Sequence, residues 1–188
     1  MFIQTETTPN PATLKFLPGR DVLGDQPRDF AAADAAAASP LAARLFEVEN
    51  VTGVYLGADF ITVTKADGEW QHMKPALLGA IMEHFTSGAP ILSESAAAAT
   101  PQAAPAAPAN EEDGEIIAAI QELLETRVRP AVAQDGGDIV FDRYDQGIVY
   151  VHMQGACAGC PASTMTLKNG VENMLRHFIP EVTEVRPI

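Results

Sequence analysis

A chain of 188 residues, 47% of them hydrophobic, has apolar material for one ordinary domain or two small ones and too much for wholesale disorder. Its formal net charge of -13 excludes the basic footprint that nucleic-acid phosphates require, and argues equally against binding to an anionic membrane surface. Such a composition fits a soluble protein that meets other proteins.

Met1 to Thr8 has neither the basic and apolar regions of a secretory signal nor the Arg-rich character of a transit peptide. No apolar run is long enough to span a bilayer. The simplest location these features predict is cytoplasmic, although a processed organellar form would look the same. Phe2 to Thr5 and Thr13 to Phe16 read as short strands about a turn at Pro9-Asn10-Pro11. Ala31 to Ala38 fits a loop or a helix. Ser39-Pro40 can cap a helix through Leu41, Leu45 and Phe46, with proline at its first position. Val51 to Leu56 and Phe60 to Thr64 suggest a hairpin across Gly57-Ala58-Asp59. Trp70 and His72 are expected to pack against this sheet just ahead of a second helix. That helix carries Leu77, Leu78, Ile81, Met82 and Phe85 on one broad face. No catalytic cluster appears in this half.

From Ser93 to Asn110 the chain is almost entirely Ala, Pro, Ser and Thr, and Pro101, Pro105 and Pro108 oppose a stable helix. A semi-extended, mobile spacer is expected, which divides the chain into a first domain over 1–88, a linker over 89–111 and a second domain over 112–188. The second domain opens with Asn110 as N-cap of a helix bearing Ile116, Ile120, Leu123, Leu124 and Val128, ended or kinked at Pro130. Strands follow at Asp138 to Tyr144 and Ile148 to Met153, joined by Asp145-Gln146-Gly147. Pro161 opens a helix with Leu167, Val171, Met174, Leu175 and Phe178, and a short strand is expected at Val182 to Val185. The fold class is α+β: two small mixed domains, the second in the order α-β-β-α with a short last strand. Domains of this size bury only about 60% of their unfolded surface, so dimerisation or a cofactor would steady the second one.

Both cysteines fall in one tetrapeptide, Cys157-Ala158-Gly159-Cys160. A disulfide closing so short a loop constrains little of the unfolded chain, so these thiols point to metal or redox chemistry. Gly159 permits the turn that lets two sulfurs converge on one centre. Pro161 places both thiols at a helix N-terminus, whose free N–H groups and dipole favour thiolates, with the hydroxyls of Ser163 and Thr164 nearby. Two thiolates are half of the shell that zinc or an iron–sulfur cluster takes. Of the four histidines, His72 and His84 lie in the other domain, His177 lies at the far end of the helix, and His152 reads as a partly exposed strand residue. The simpler completion is a second copy of the same loop, giving four thiolates about a two-fold axis. Such a shared, exposed site suits a cluster meant to leave.

Nearby residues have plain structural readings. Asp135 and Asp138 cap or solvate a turn made by Gly136 and Gly137. Lys168 either adds positive potential near the thiolates or is a solvated helix lysine. Gly170 is unfavourable inside a helix, and either close approach of another element or tolerance would explain it. Met165 and Met174 are expected to pack on the helix face.

The run from Gly155-Ala156-Cys157 through Cys160-Pro161-Ala162-Ser163-Thr164-Met165-Thr166-Leu167-Lys168-Asn169-Gly170-Val171-Glu172 closely resembles the signature of the Nfu domain, the C-terminal domain of NifU-type proteins. Asp135-Gly136-Gly137-Asp138 fits that family's pattern at the expected distance. Met1 to Pro11 with Thr13-Leu14-Lys15-Phe16 is similar to the Nfu N-terminal domain. The resemblance implies a carrier that is not an enzyme. In it a 4Fe–4S cluster is held between two subunits by Cys157 and Cys160 of each, in a homodimer formed on loading. It also implies upstream cluster-assembly proteins as donors, apo iron–sulfur proteins as acceptors, and partner contact by the N-terminal domain. Two other functions share the motif. A thiol–disulfide oxidoreductase of thioredoxin type is opposed by the late position of the cysteines, by Pro161 after Cys160, and by Ala156 where an aromatic residue is often found. A structural zinc protein would use the same thiolates.

Overall fold

The computed structural model describes residues 2–24, 26–93, 111–158 and 161–188. Cys160, Gly159, Asn110 and most of the expected linker lie outside the described residues. The chain divides into two compact units, within 1–100 and 101–188.

The first unit is an antiparallel sheet of β1 (Gln4–Thr7), β2 (Thr13–Leu17), β3 (Arg28–Phe30), β4 (Val51–Leu56) and β5 (Ile61–Lys65), in the order β1-β2-β5-β4-β3. The β1–β2 turn closes because the Asn10 side chain accepts the Ala12 N–H at 3.0 Å and the Thr8 hydroxyl donates to the Asn10 carbonyl at 2.8 Å. Helix α1 (Pro40–Phe46) starts as expected, with Ser39 Oγ accepting from the Ala42 N–H at 3.1 Å. Helix α2 (Trp70–Ser87) ends at Gly88, whose φ of 68° supplies a left-handed cap. Leu14, Phe16, Leu41, Leu45, Leu56, Ile61, Leu77 and Ile81 form the core.

The stretch left open between loop and helix holds a single 3-10 turn at Ala35–Ala38, and the three-residue strand β3 has too little apolar pattern to be seen in the sequence. Trp70 and His72 lie inside α2. Trp70 packs on the core and donates Nε1–H to the Pro11 carbonyl at 3.1 Å, whereas His72 is exposed. The buried stripe of α2 runs through Met73, Leu77, Ile81 and His84, while Met82 faces solvent. His84 is fully buried, and among the described residues neither ring nitrogen meets a hydrogen-bond partner of normal geometry. Burial lowers its pKa below the usual 6.5, the Arg44 guanidinium lowers it further, and the Ala89 backbone partly opposes both.

The second unit begins with α3 (Glu111–Leu123), which passes through a π-helical turn (Leu124–Val128) into α4 (Arg129–Gln134). Pro130 has no N–H and its ring crowds the carbonyl four residues back. The chain answers with a wider turn, in which the Arg129 N–H reaches the Leu124 carbonyl. The helix therefore continues past the proline, and Leu124, Val128 and Val132 all stay in the core. Then come β6 (Gly137–Asp145), β7 (Ile148–Gly155), α5 (Pro161–Phe178) and β8 (Glu184–Pro187). β6 and β7 form a hairpin, and β8 returns parallel to β7, two residues later than the sequence predicts. The delay has a cause: the Thr183 N–H and hydroxyl both donate to the Gly147 carbonyl, at 2.7 and 3.0 Å, so Val182 and Thr183 anchor the strand before it pairs. The sheet packs Ile139, Val149, Val151 and Val185 against Ile120, Val171 and Leu175 from the helices. The expected α+β class, with α-β-β-α and a short last strand in the second unit, is what forms.

Candidate metal centre

The Cys157 end of the cysteine loop is held at the junction of β6, β7 and α5. β7 ends at Gly155, whose φ of 61° turns the chain back toward β6. The Ala156 N–H then donates to the Gly136 carbonyl at 3.1 Å, and the Cys157 N–H to the Gln154 carbonyl at 3.3 Å. From the other side, the Thr164 hydroxyl in the first turn of α5 donates to the Cys157 carbonyl at 3.3 Å. Gly137 makes room for this packing. A Cβ on it would overlap Cys157 Sγ and stand 3.0 Å from the Cys157 nitrogen and 3.1 Å from its Cβ. The Asp-Gly-Gly-Asp run therefore shapes the seat of the cysteine loop, in addition to making a turn.

Cys157 is only 5% exposed and belongs to the core of the second unit. Burial pushes its thiol up to about 12, with Asp135 and Asp138 adding to the shift. For Cys157 this corrects the expectation of a helix end that favours the thiolate; the same expectation for Cys160 lies outside the described residues. Cys157 sits in the core before α5 begins, and desolvation with two nearby carboxylates outweighs a partial helix charge. Burial favours the protonated thiol here, and a bound cation would draw off its proton.

Asp138 is buried, and it does more than solvate a turn. Its two oxygens accept from Arg129 Nε and Nη2, each at 2.9 Å, and Oδ1 also accepts the Ile139 N–H at 2.8 Å. The pair ties α4 to β6 directly beside the cysteine loop. Sequence reasoning missed Arg129; its only signal was a position just before Pro130, nine residues ahead of Asp138. Asp135 stays at the turn, its N–H donating to the Val132 carbonyl at 3.1 Å.

The other candidates fall away from the cysteine. His152 is the partly exposed strand residue expected, with Nε2 3.3 Å from Asp142 Oδ1. His177 lies in the last turn of α5, edge-on to Phe178. Lys168 reaches Glu184 Oε1 at 3.5 Å, which neutralises much of the positive potential it would offer a thiolate. Met174 packs on the core, but Met165 is 66% exposed, contrary to expectation. Among the described residues nothing lies within 4 Å of a Cβ added to Gly170, so no described element makes the close approach that would explain it. Among the described residues, no group of three or more His, Cys, Asp or Glu could hold a metal ion. No helix among them is long and apolar enough to cross a membrane.

Comparison with known proteins extends this geometry. A family profile described as "Scaffold protein Nfu/NifU N terminal" matches residues 3–88, and one described as "NifU-like domain" matches residues 120–186. The whole chain aligns, at 52% identity, with 64% of a Drosophila ananassae protein named "NFU1 iron-sulfur cluster scaffold homolog, mitochondrial". It also aligns in full, at 47% identity, with 72% of the Homo sapiens protein of the same name. The chain thus spans slightly under two thirds of the length of the Drosophila relative. Among solved structures, the solution structure of a NifU-like protein from Saccharomyces cerevisiae matches at 26% identity, covering 50% of this chain and 85% of that one with a TM-score of 0.44.

These names correct the expected cytoplasmic location, because the relatives are mitochondrial. The expectation rested on the residues at the start of the chain, and Gln4–Thr7 turns out to be strand β1 of the sheet. Their composition reports the fold and carries no address.

Proposed function

The chain belongs to the Nfu/NifU family, and from that premise we propose that it is an iron–sulfur cluster carrier that binds 4Fe–4S between two copies and passes it to apo-proteins. Cys157 and Cys160 of each copy are the ligands in this reading. The observation that carries it is the seat of Cys157: a sulfur packed against a glycine that leaves it no slack, between a strand end and a helix start. A chain with two cysteines supplies half of a four-thiolate shell, and a second copy supplies the rest. The cluster is cargo in this reading, held by these residues until an acceptor takes it. Donors are upstream cluster-assembly proteins, acceptors are apo iron–sulfur proteins, and residues 1–88 contribute partner contact across the linker.

The oxidoreductase alternative asks for a readily ionised, attacking thiol. A buried Cys157 beside two carboxylates opposes that demand. Zinc held by the same thiolates remains a second reading only in the sense that the donor set is identical.

The test is anaerobic reconstitution of Cys157→Ala and Cys160→Ala chains with iron and sulfide. Both are expected to fold as apo-protein and to retain no cluster. A variant that still holds a full complement of iron and sulfide contradicts the ligand assignment.

A further inference from the structure

We propose that the exposed face of α5 carrying Met165, Thr166, Asn169, Gly170 and Asn173 is the surface on which a second copy of this chain docks when a cluster bridges the two. The inference rests on the carrier reading and adds to it the place where the subunits meet.

The five positions share one side of the helix. At 100° per residue they span about 140° of its circumference, and all five are exposed, opposite the buried Val171 and Leu175. Two features of this face have no explanation among the described residues of one chain. Met165 is a large apolar side chain 66% exposed in the first turns of the helix that follows the cysteines. Gly170 lies inside an 18-residue helix, where glycine is about 1 kcal/mol less favourable than alanine, yet a Cβ there would meet nothing within 4 Å. A glycine with no neighbour among the described residues of its own chain fits close approach by another helix, which brings the backbones together where a side chain would hold them apart.

Charge points to a second copy as the occupant. The chain has 25 acidic residues among 188, about one in seven or eight, and they are spread along both units. From Gln146 through Val171 there is none, although Asp145 and Glu172 stand at either limit. Lys168, the one formal charge in that run, is paired with Glu184. The carboxylate-free stretch contains the cysteine motif and four of the five proposed contact residues. Two molecules that each carry a net charge of -13 repel one another, and they can meet most easily through a neutral patch. A basic acceptor would need no such neutrality.

The size of the face explains why docking should depend on the cluster. Nine residues of helix extend about 12 Å at 1.5 Å per residue. With a width near 10 Å, this is well short of the roughly 800 Å² per partner of a stable interface. The face is enough to align two copies once metal–thiolate bonds join them, and too little to hold them without a cluster.

Gly170→Glu tests the proposal in the full chain. Gly170 is exposed and an added Cβ meets nothing within 4 Å among the described residues, so the apo-protein should unfold at the same temperature as the parent or higher. After anaerobic reconstitution, two like charges at helix-contact distance should weaken the loaded dimer about tenfold, read as lost cluster content and loss of dimeric mass by light scattering. Gly170→Lys alone should behave likewise, and an equimolar mixture of the two variants should recover cluster and dimer. Normal loading and dimeric mass in both single variants, or no recovery in the mixture, overturns the assignment. Normal loading with impaired transfer to an apo-acceptor also overturns it and gives the face to the acceptor. Failure of the unsubstituted protein to load any cluster is a different outcome, which removes the carrier reading itself.

Discussion

Gly137→Ala should damage the cysteine loop more than its single methyl group suggests. The added Cβ would overlap Cys157 Sγ and lie 3.0 Å from the Cys157 nitrogen and 3.1 Å from its Cβ. Ordinary contact begins near 3.4 Å, so the loop backbone must retreat by a few tenths of an ångström even if Sγ rotates away. It is not free to do so. Hydrogen bonds from Ala156 to Gly136 and from Thr164 to Cys157 hold it on two sides. Overpacking of this kind costs about 1–3 kcal/mol. Alanine suits a strand better than glycine does, so no backbone preference obscures the clash. Urea unfolding of the apo-protein should show the loss, and reconstitution should show less cluster per chain, since a binding geometry tolerates about 0.5 Å of error. Gly170→Ala is the control: with nothing within 4 Å, it should stabilise the apo-protein by about 1 kcal/mol. If Gly137→Ala left stability and cluster content unchanged, the idea that this glycine seats the cysteine would be wrong.

Three further outcomes are expected. Arg129→Ala removes the guanidinium from the buried Asp138 carboxylate and should destabilise the second unit by about 3 kcal/mol, whereas Arg129→Ala with Asp138→Asn should lose less; denaturant unfolding distinguishes them. His84 is held below its usual 6.5, so the unfolded chain takes up its proton first and stability falls as pH drops below about 6.5, levelling off once the folded pKa is passed. His84→Leu should flatten that acid-side slope in thermal unfolding, and a slope unchanged by the substitution would refute the assignment. A chain lacking residues 1–87 should still bind cluster but deliver it more slowly to at least some apo-acceptors, and inability to bind cluster would show that the two units are not independent in this task.

Local chemistry made much of this fold readable. The Ser39-Pro40 helix start, the Val51–Leu56 strand and the Asp145-Gln146-Gly147 turn each follow from one or two residues whose conformational preferences leave few alternatives. Features set by distant partners were not legible. His84 lies on the helical stripe of Leu77 and Ile81, but a histidine is not counted as core until its neighbours are seen. The pairing of Arg129 with Asp138 depends on a π-helical turn that Pro130 forces, and a kink or a stop would have read the same in the sequence. At the site, two cysteines at this spacing signalled metal or redox chemistry. The burial of Cys157, and hence the reversal of its expected ionisation, came from packing against Gly137 and from two carboxylates whose direction no spacing reveals.

The central claim is tested most directly by anaerobic reconstitution of the full chain, with Mössbauer spectroscopy and size-exclusion chromatography on the same sample. The account predicts spectra of one 4Fe–4S cluster per two chains, with the loaded protein eluting as a dimer and the apo-protein as a smaller species. A protein that stays colourless and cycles between dithiol and disulfide, or one whose cluster resides in a single chain, would contradict it.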